Sequence, residues 1–412
     1  MKKLNILLIE PFLPYPLCSG GHQAIYNGIL ALKELYNIHI LCYIEEFDYK
    51  ETDIDDFKNR IHISNVYTYI KKNEDSGIRL NPFQHVIASL FYRLVPQYKK
   101  KYDISDIFLK TPSYPIEFLN KIHQIINDNH IDIVQIEMPW FISLVCSLPN
   151  HVKKVYVHHE IAFERNRLSV EQAGENLYRN SAVEVNKILE IGLLNKYDAI
   201  ITLSEADKLK LIENGVVKPV FSSFSIVTHN EKLLSLKENC FTLSFVGPEM
   251  HNPNKQGIFW FLDNCWNQLL QRDSRYKLKI ISKWKESTQK EIQEKYDNIE
   301  FLGFVNNLSS ALENTIMIVP ITIGSGIRMK ILEAANIGIP FVTTSIGVEG
   351  LPFKDKESCF ISDSPNDFID SILKLQDKNL RYRFCTSARN IIEHSYSIEA
   401  LIDNRKEIMA QI

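Results

Sequence analysis

No C-x-x-C pair occurs among the seven cysteines of this 412-residue chain, which stand far apart at positions 18, 42, 146, 240, 265, 359 and 385. Such spacing argues against a zinc site or a disulfide framework and fits a reducing compartment. No apolar run reaches the roughly 18 residues that a membrane-spanning helix needs. The first residues, MKKLNILLIEPFLPYP, hold two lysines and a short apolar run. Glu10 and three prolines break that run, so a buried first strand is expected rather than a signal peptide. Charge of one sign is also lacking. The formal net charge is −3, so no global basic field points to nucleic acid. The G-x-G-x-x-G fingerprint is absent, which disfavours a Rossmann oxidoreductase. No internal repeat and no low-complexity segment interrupts the chain.

What is present is an ordinary globular composition, 45% apolar and 24% charged, in a chain too long for one hydrophobic core. Two domains are expected. Both halves open alike. LNILLIE (4–10) reads as a buried strand, PFLPYPLCSGG as its loop, HQAIYNGILALKEL as a helix and IHILCYI (38–44) as the next strand. Downstream, FTLSFVG (241–247), the loop PEMHNPNK, the helix QGIFWFLDNCWNQLLQ and the strand YKLKIIS repeat the order. Strand–loop–helix–strand units imply parallel sheets with right-handed crossovers, and such sheets put ligands at the carboxyl ends of their strands. The alternation continues through NVYTYI, IDIVQIEM, KVYVHHE and AIITLS, and then NIEFLGF, IMIVPI, FVTT and SCFIS. Residues 165–196 read as one long helix or a broken pair. The weakly periodic segment 221–240 marks the junction, giving a first domain of 1–225 and a second of 226–396. Residues 76–115 hold no clear strand. They read as a surface helical excursion with a solvated lysine run, or else as a monotopic contact with anionic lipid headgroups.

The densest chemistry lies in GSGIRMKILEAANIG (324–338). IMIVPI before it is a strand, and helix signals begin at Gly326 or Ile327. Ile327, Ile331, Ala334, Ala335 and Gly338 form one apolar stripe, with Lys330 and Glu333 opposite it. Gly338 is placed to end the helix, and Pro340 forbids its continuation. The helix start thus sits at a strand's carboxyl end with free N–H groups and a positive dipole end. Gly324 and Gly326 permit close approach of backbone to an anion, while Arg328 and Lys330 can add charge-assisted contacts. Glu333, one turn further in, can accept from vicinal hydroxyls such as those of a ribose. Diphosphate beside ribose describes a nucleotide. The plain alternative is an i,i+3 surface ion pair worth a few tenths of a kcal/mol.

The run P-x-x-x-G-S-G-I-R-M-K-I-L-E-A-A-x-x-G-I-P-F-V-T-T, followed by IGVEGL, resembles the donor-site signature of family 4 (group 1) glycosyltransferases. FVGPEMHNPNKQGIFWF, NIEFLGFVNNLSSALENT and the loop PFLPYPLCSGGHQ resemble further segments of that family in the same order. The resemblance covers essentially the whole chain; it is strong over 241–352 and weaker over 45–130. It implies an α/β GT-B architecture: two facing Rossmann-like domains with parallel sheets. A C-terminal helix (397–412) would cross back to the first domain. It implies a retaining hexosyltransferase that moves a sugar from a UDP-, GDP- or ADP-sugar to a glycan or lipid-linked acceptor. The expected setting is bacterial surface polysaccharide or glycoconjugate synthesis, in the cytoplasm or peripherally at the inner face of the plasma membrane.

Residue by residue, the resemblance assigns Arg328, Lys330, Lys255 and Gly326 to the donor diphosphate and Glu333 to its ribose. Ser325 and Glu349 fall beside the donor sugar, and Gly20 and Gly21 in an acceptor-side or phosphate loop. His158 and His159, at the end of KVYVHHE, face the reacting centre as catalytic candidates. Strand alternation sends the two to opposite sides and does not choose between them. Glu137 and Glu160 are acceptor candidates. Neither a metal nor another cofactor is implied, since the leaving phosphate is thought to deprotonate the acceptor. The family often carries two glutamates with seven residues between them. Glu333 fits the second, but the first falls on Ser325, which puts donor identity in doubt. Two rival readings keep the same architecture: a sugar-nucleotide epimerase, and a catalytically inactive nucleotide-binding subunit.

Overall fold

In the computed structural model the described residues are 3–17, 20–46, 50–71, 114–227, 236–305, 307–324 and 326–412. Most of the stretch 76–115, with its two readings, lies outside them. Seven strands make the first sheet: β1 (Asn5–Glu10), β2 (Asn37–Glu45), β3 (Val66–Lys71), β4 (Ile133–Glu137), β5 (Lys153–His158), β6 (Ala199–Thr202) and β7 (Val220–Ser222). Their order is β3-β2-β1-β4-β5-β6-β7 and every pairing is parallel. Six strands make the second: β8 (Thr242–Val246), β9 (Lys277–Ile281), β10 (Ile299–Gly303), β11 (Ile316–Val319), β12 (Phe341–Thr343) and β13 (Phe360–Ile361). Their order, β10-β9-β8-β11-β12-β13, repeats the winding of the first sheet, again all parallel.

The near-continuous apolar runs follow from burial on both faces. In β1, Leu7 and Ile9 join the core with Phe118 and Tyr156, while Ile6 and Leu8 join the core with Ile25 and Ile29 of the helix Gly20–Leu32. The second domain divides in the same way around β8 and β11. Burying one such Leu or Ile side chain stabilises by about 1.5–3 kcal/mol. Winding direction reverses beside β1 and β4 in one sheet and beside β8 and β11 in the other, and the crevice for a ligand opens there.

The weakly periodic junction segment 221–240 opens within a short edge strand, β7, and residues 223–227 after it form no helix or strand. The helical span after Arg165 is a pair, Ala162–Ala173 and Leu177–Leu194, broken at Gly174 with φ 87°. Asn176 caps the second helix by accepting from Arg179 N. The last helix, Ile398–Met409, lies against the first domain. Leu401 packs with Ala31 and Ile226, Ile408 joins the core of β1 and β2, and Asn404 donates to the Ser222 carbonyl at 3.3 Å. No helix among the described residues is long and apolar enough to cross a membrane.

Candidate active site

A cavity of about 660 Å³ lies between the carboxyl ends of the two sheets. Its first-domain wall includes Gly20, Gly21, Gln23, His159 and Glu160, and its second-domain wall His251, Asn254, Gly326, Arg328, Lys330 and Glu333. That size suits a ligand of nucleotide scale.

The helix Met329–Ile337 begins two or three residues later than the pattern suggests. Arg328 explains the delay. Its guanidinium is buried and bends back onto the loop, donating to the carbonyls of Gly324 at 2.9 Å and of Gly326. The arginine therefore clasps the glycine loop from behind. Burial lowers its pKa, opposed by Glu160, Glu349 and Asp207. Gly324 and Gly326 adopt φ of 113° and 81°, a region that favours glycine. Gly326 is also squeezed: a Cβ there would lie 2.5 Å from the His159 carbonyl oxygen, so the two domains touch at this point. Gly338, with φ 78°, ends the helix in the left-handed conformation expected of it. Ser325 lies outside the described residues.

Lys330 leaves the first turn towards the cavity. Its Nζ donates to Asn254 Oδ1 at 2.7 Å and sits 4.7 Å from the centre of the Phe245 ring. Burial, with Arg328 adding repulsion, brings its pKa down to about 7 against the pull of Glu333. Glu333, one turn further on, accepts from Gln23 Nε2 of the other domain at 2.5 Å. Burial raises its pKa, and the Gln23 bond and Lys330 oppose that shift. His251 completes this wall. Burial holds its pKa down at about 4, with help from Lys330 and Arg328, so the ring is neutral.

Several residues singled out from sequence lie elsewhere. Lys255 is outside the cavity wall: its Nζ meets Glu249 at 2.9 Å, and that carboxylate also accepts from Lys285 N and Thr288. Its neighbour Asn254 is the residue turned inward. Glu349 pairs with Lys210 of the first domain at 2.6 Å. It ties the domains together instead of lining the cavity. Glu160 lines the cavity and accepts from Arg165 at 2.7 Å.

The two histidines separate as strand alternation requires. His158 is buried on the Tyr156 side of the sheet, with Nε2 2.9 Å from Glu190. Glu190 also accepts from the backbone of Ala162 and Phe163, so this carboxylate joins the end of β5 to the start of a helix. Removing it strands three donors in the core. Glu190→Ala is expected to cost about 3 kcal/mol of stability, seen as a lower melting temperature with donor affinity unchanged. A variant melting like the wild type would contradict this structural role.

His159 takes the opposite side and lines the cavity. Its Nε2 is held by Glu137 at 2.6 Å, and Glu137 in turn accepts from Gln135 at 2.7 Å. Glu137 thus stands behind His159 rather than in the cavity wall. Glu10 lies next to Glu137, fully buried, with neither carboxyl oxygen partnered. Burial and then the Glu137 charge push its pKa well up. Gln23, His251 and Asn254 escaped the sequence reading. His251 and Asn254 lie in the loop PEMHNPNK and Gln23 ends the run PFLPYPLCSGGHQ; both runs stand out in the sequence, but nothing in them marks these three side chains.

Residues 240–378 match the family described as Glycosyl transferases group 1. A Klebsiella pneumoniae protein named "Uncharacterized 44.6 kDa protein in cps region" is 21% identical over 387 residues, 90% of this chain and 90% of that protein. The UDP-Gal:alpha-D-GlcNAc-diphosphoundecaprenol alpha-1,3-galactosyltransferase of Escherichia coli is 23% identical over 259 residues, 57% of this chain and 66% of that enzyme. Among solved structures, TarM superposes with a TM-score of 0.69 at 14% identity over 99% of both chains. A TarM mutant from S. aureus, crystallised with Fondaparinux, alpha-GlcNAc-glycerol and UDP, gives 0.66 at 14% identity over 99% of both chains. The structural likeness shows the fold, which is GT-B, and the family match supports glycosyltransferase activity.

Proposed function

We propose that this chain, whose second domain matches the group 1 glycosyl transferases, moves a sugar from a UDP-sugar to a glycan or lipid-linked acceptor with retention of configuration. The observation that carries this reading is the pairing of Lys330 with Glu333, one turn apart in the cleft, just after a glycine loop at a strand's end. The loop N–H groups and Lys330 receive the diphosphate, and Glu333 receives the ribose. Uridine is favoured because the E. coli relative is named for UDP-Gal and the TarM mutant was crystallised with UDP.

In the reaction the bond from the anomeric carbon to the β-phosphate oxygen breaks, and the acceptor oxygen bonds to that carbon on the same face. The acceptor proton passes to the departing phosphate oxygen, so no separate base is needed. Lys330 and the loop offset the charge gathering on the diphosphate as it leaves. His159, fixed by Glu137, stands on the first-domain side beside the transferred sugar. The acceptor side belongs to a surface polysaccharide or glycoconjugate route at the inner face of a bacterial membrane, which this chain meets peripherally.

Melting curves with UDP-, GDP- and ADP-sugars test this reading. A donor at about 100 times its Kd adds about 2.7 kcal/mol to the folded state, a shift of about 5–11 °C for a domain of about 150–250 residues. The UDP-sugar is expected to give the largest shift. A protein that no nucleotide sugar stabilises would overturn the proposal.

A further inference from the structure

Gln23 is the fourth residue of the helix Gly20–Leu32 in the first domain, yet its side chain reaches the carboxylate of the second. The approach is set by the helix starts. A Cβ on Gly20 would lie 3.0 Å from the Met329 side chain, so the first turns of the two helices abut across the cleft. One turn further along each helix, Gln23 meets Glu333. The amide is used at one end only. Its Nε2 donates to Glu333 at 2.5 Å, whereas its Oε1 is buried at the cavity wall with no partner.

A vicinal diol offers two O–H donors and so asks for two acceptors. Glu333 has one carboxylate oxygen occupied by Gln23 and one remaining. The second acceptor is the idle Gln23 oxygen beside it. We propose that Gln23 is a second ribose-reading residue, carried across the cleft by the first domain, whose amide oxygen accepts from a ribose hydroxyl of the bound nucleoside diphosphate. This rests on the reading of the cleft as a nucleotide-sugar site. It adds that the ribose is read by both domains together, so that its hydroxyls report whether the cleft is closed. A buried acceptor left without its donor is costly, and a deoxyribose would leave one so. If Gln23 were only a tie between domains, its loss would weaken ribose and deoxyribose nucleotides alike.

Calorimetric titration with UDP, 2′-deoxy-UDP and 3′-deoxy-UDP separates these cases, with the corresponding GDP and ADP sets run in parallel. The wild type is expected to prefer the ribose form by about tenfold or more over each deoxy form. Gln23→Met keeps the bulk and removes the acceptor. It is expected to bring one of the two preferences to within about twofold while the other persists through Glu333. Gln23→Asn, which withdraws the same amide, should act likewise if the methionine variant melts early. Unchanged preferences in both variants, or a wild type that binds UDP without distinguishing the deoxy forms, would sink the role of Gln23 and leave the nucleotide site standing. A wild type that binds no nucleoside diphosphate would remove both.

Discussion

Lys330→Ala is expected to lower kcat/KM for the UDP-sugar by about 10²–10³, the loss seen when one aimed electrostatic contact to a developing anion is removed. The size follows from the site. Lys330 lines the cavity with its ammonium, while Arg328 on the same wall donates to the loop carbonyls and Lys255 is paired with Glu249. Its setting also makes the contact depend on pH. With a pKa near 7 in the unliganded protein, Lys330 is largely protonated below neutrality and largely neutral well above it. A bound diphosphate favours the protonated form, so binding above pH 7 must take up a proton. Affinity for a UDP-sugar, whose diphosphate has no ionisation of its own in this range, is expected to fall as pH rises from about 7 to about 8.5. The alanine variant should lose that slope along with the affinity. Full turnover in Lys330→Ala, or an identical slope in variant and wild type, would refute the assignment of the diphosphate to this lysine.

Gly326→Ala is expected to abolish most turnover while leaving much of the nucleotide affinity. Two costs fall on the added methyl. A φ of 81° disfavours any L side chain by about 1–2 kcal/mol. The Cβ would also lie 2.5 Å from the His159 carbonyl, so either the loop or the domain facing it must move. Displacement of reacting groups by about 1 Å can cost about a hundredfold in rate. Lys330 and Glu333, the side chains of the nucleotide seat, follow the loop on the second domain and stay in place, so only the loop N–H contacts to the diphosphate are weakened. The diagnostic result is therefore a kcat loss of about 10² or more against a Kd change below about tenfold. Equal losses in both would place Gly326 in the binding surface alone. Unchanged kcat would show that the close approach to His159 has no part in turnover.

The sheets were readable in the sequence because parallel strands buried on both faces leave unbroken apolar runs, as in β1 and β11. β7 was not, since three residues on a sheet edge carry no period. The helix after the glycine loop was legible in its stripe and in its Gly338 stop, but not in its start. There Arg328 takes up the loop carbonyls, a contact no spacing rule contains. Alternation told that His158 and His159 part ways; only Glu190, 32 residues distant, shows which one is tied into the core. Asn254 and Lys255 differ by a single position in a turn, where one step of the helix decides which side chain enters the cleft. Gln23 was silent for a deeper reason. Its partner is 310 residues away, on another domain, and nothing local to either residue records that the two will meet.

The chain passes between its domains twice, outward after Ser222 and back before Ile398, where the last helix docks beside the first crossing through Leu401 and Ile226. One crossing would act as a ball joint, free to swing in three rotations. Two crossings side by side restrict the motion to roughly one axis, like a door on a pair of pins. Two attachments leave the domains fewer relative orientations than one would, and so favour the register that sets Gly326 against His159 and Gln23 against Glu333. The terminal helix, docked on the first domain, supplies the second of the two attachments that hold the halves of the cleft in register.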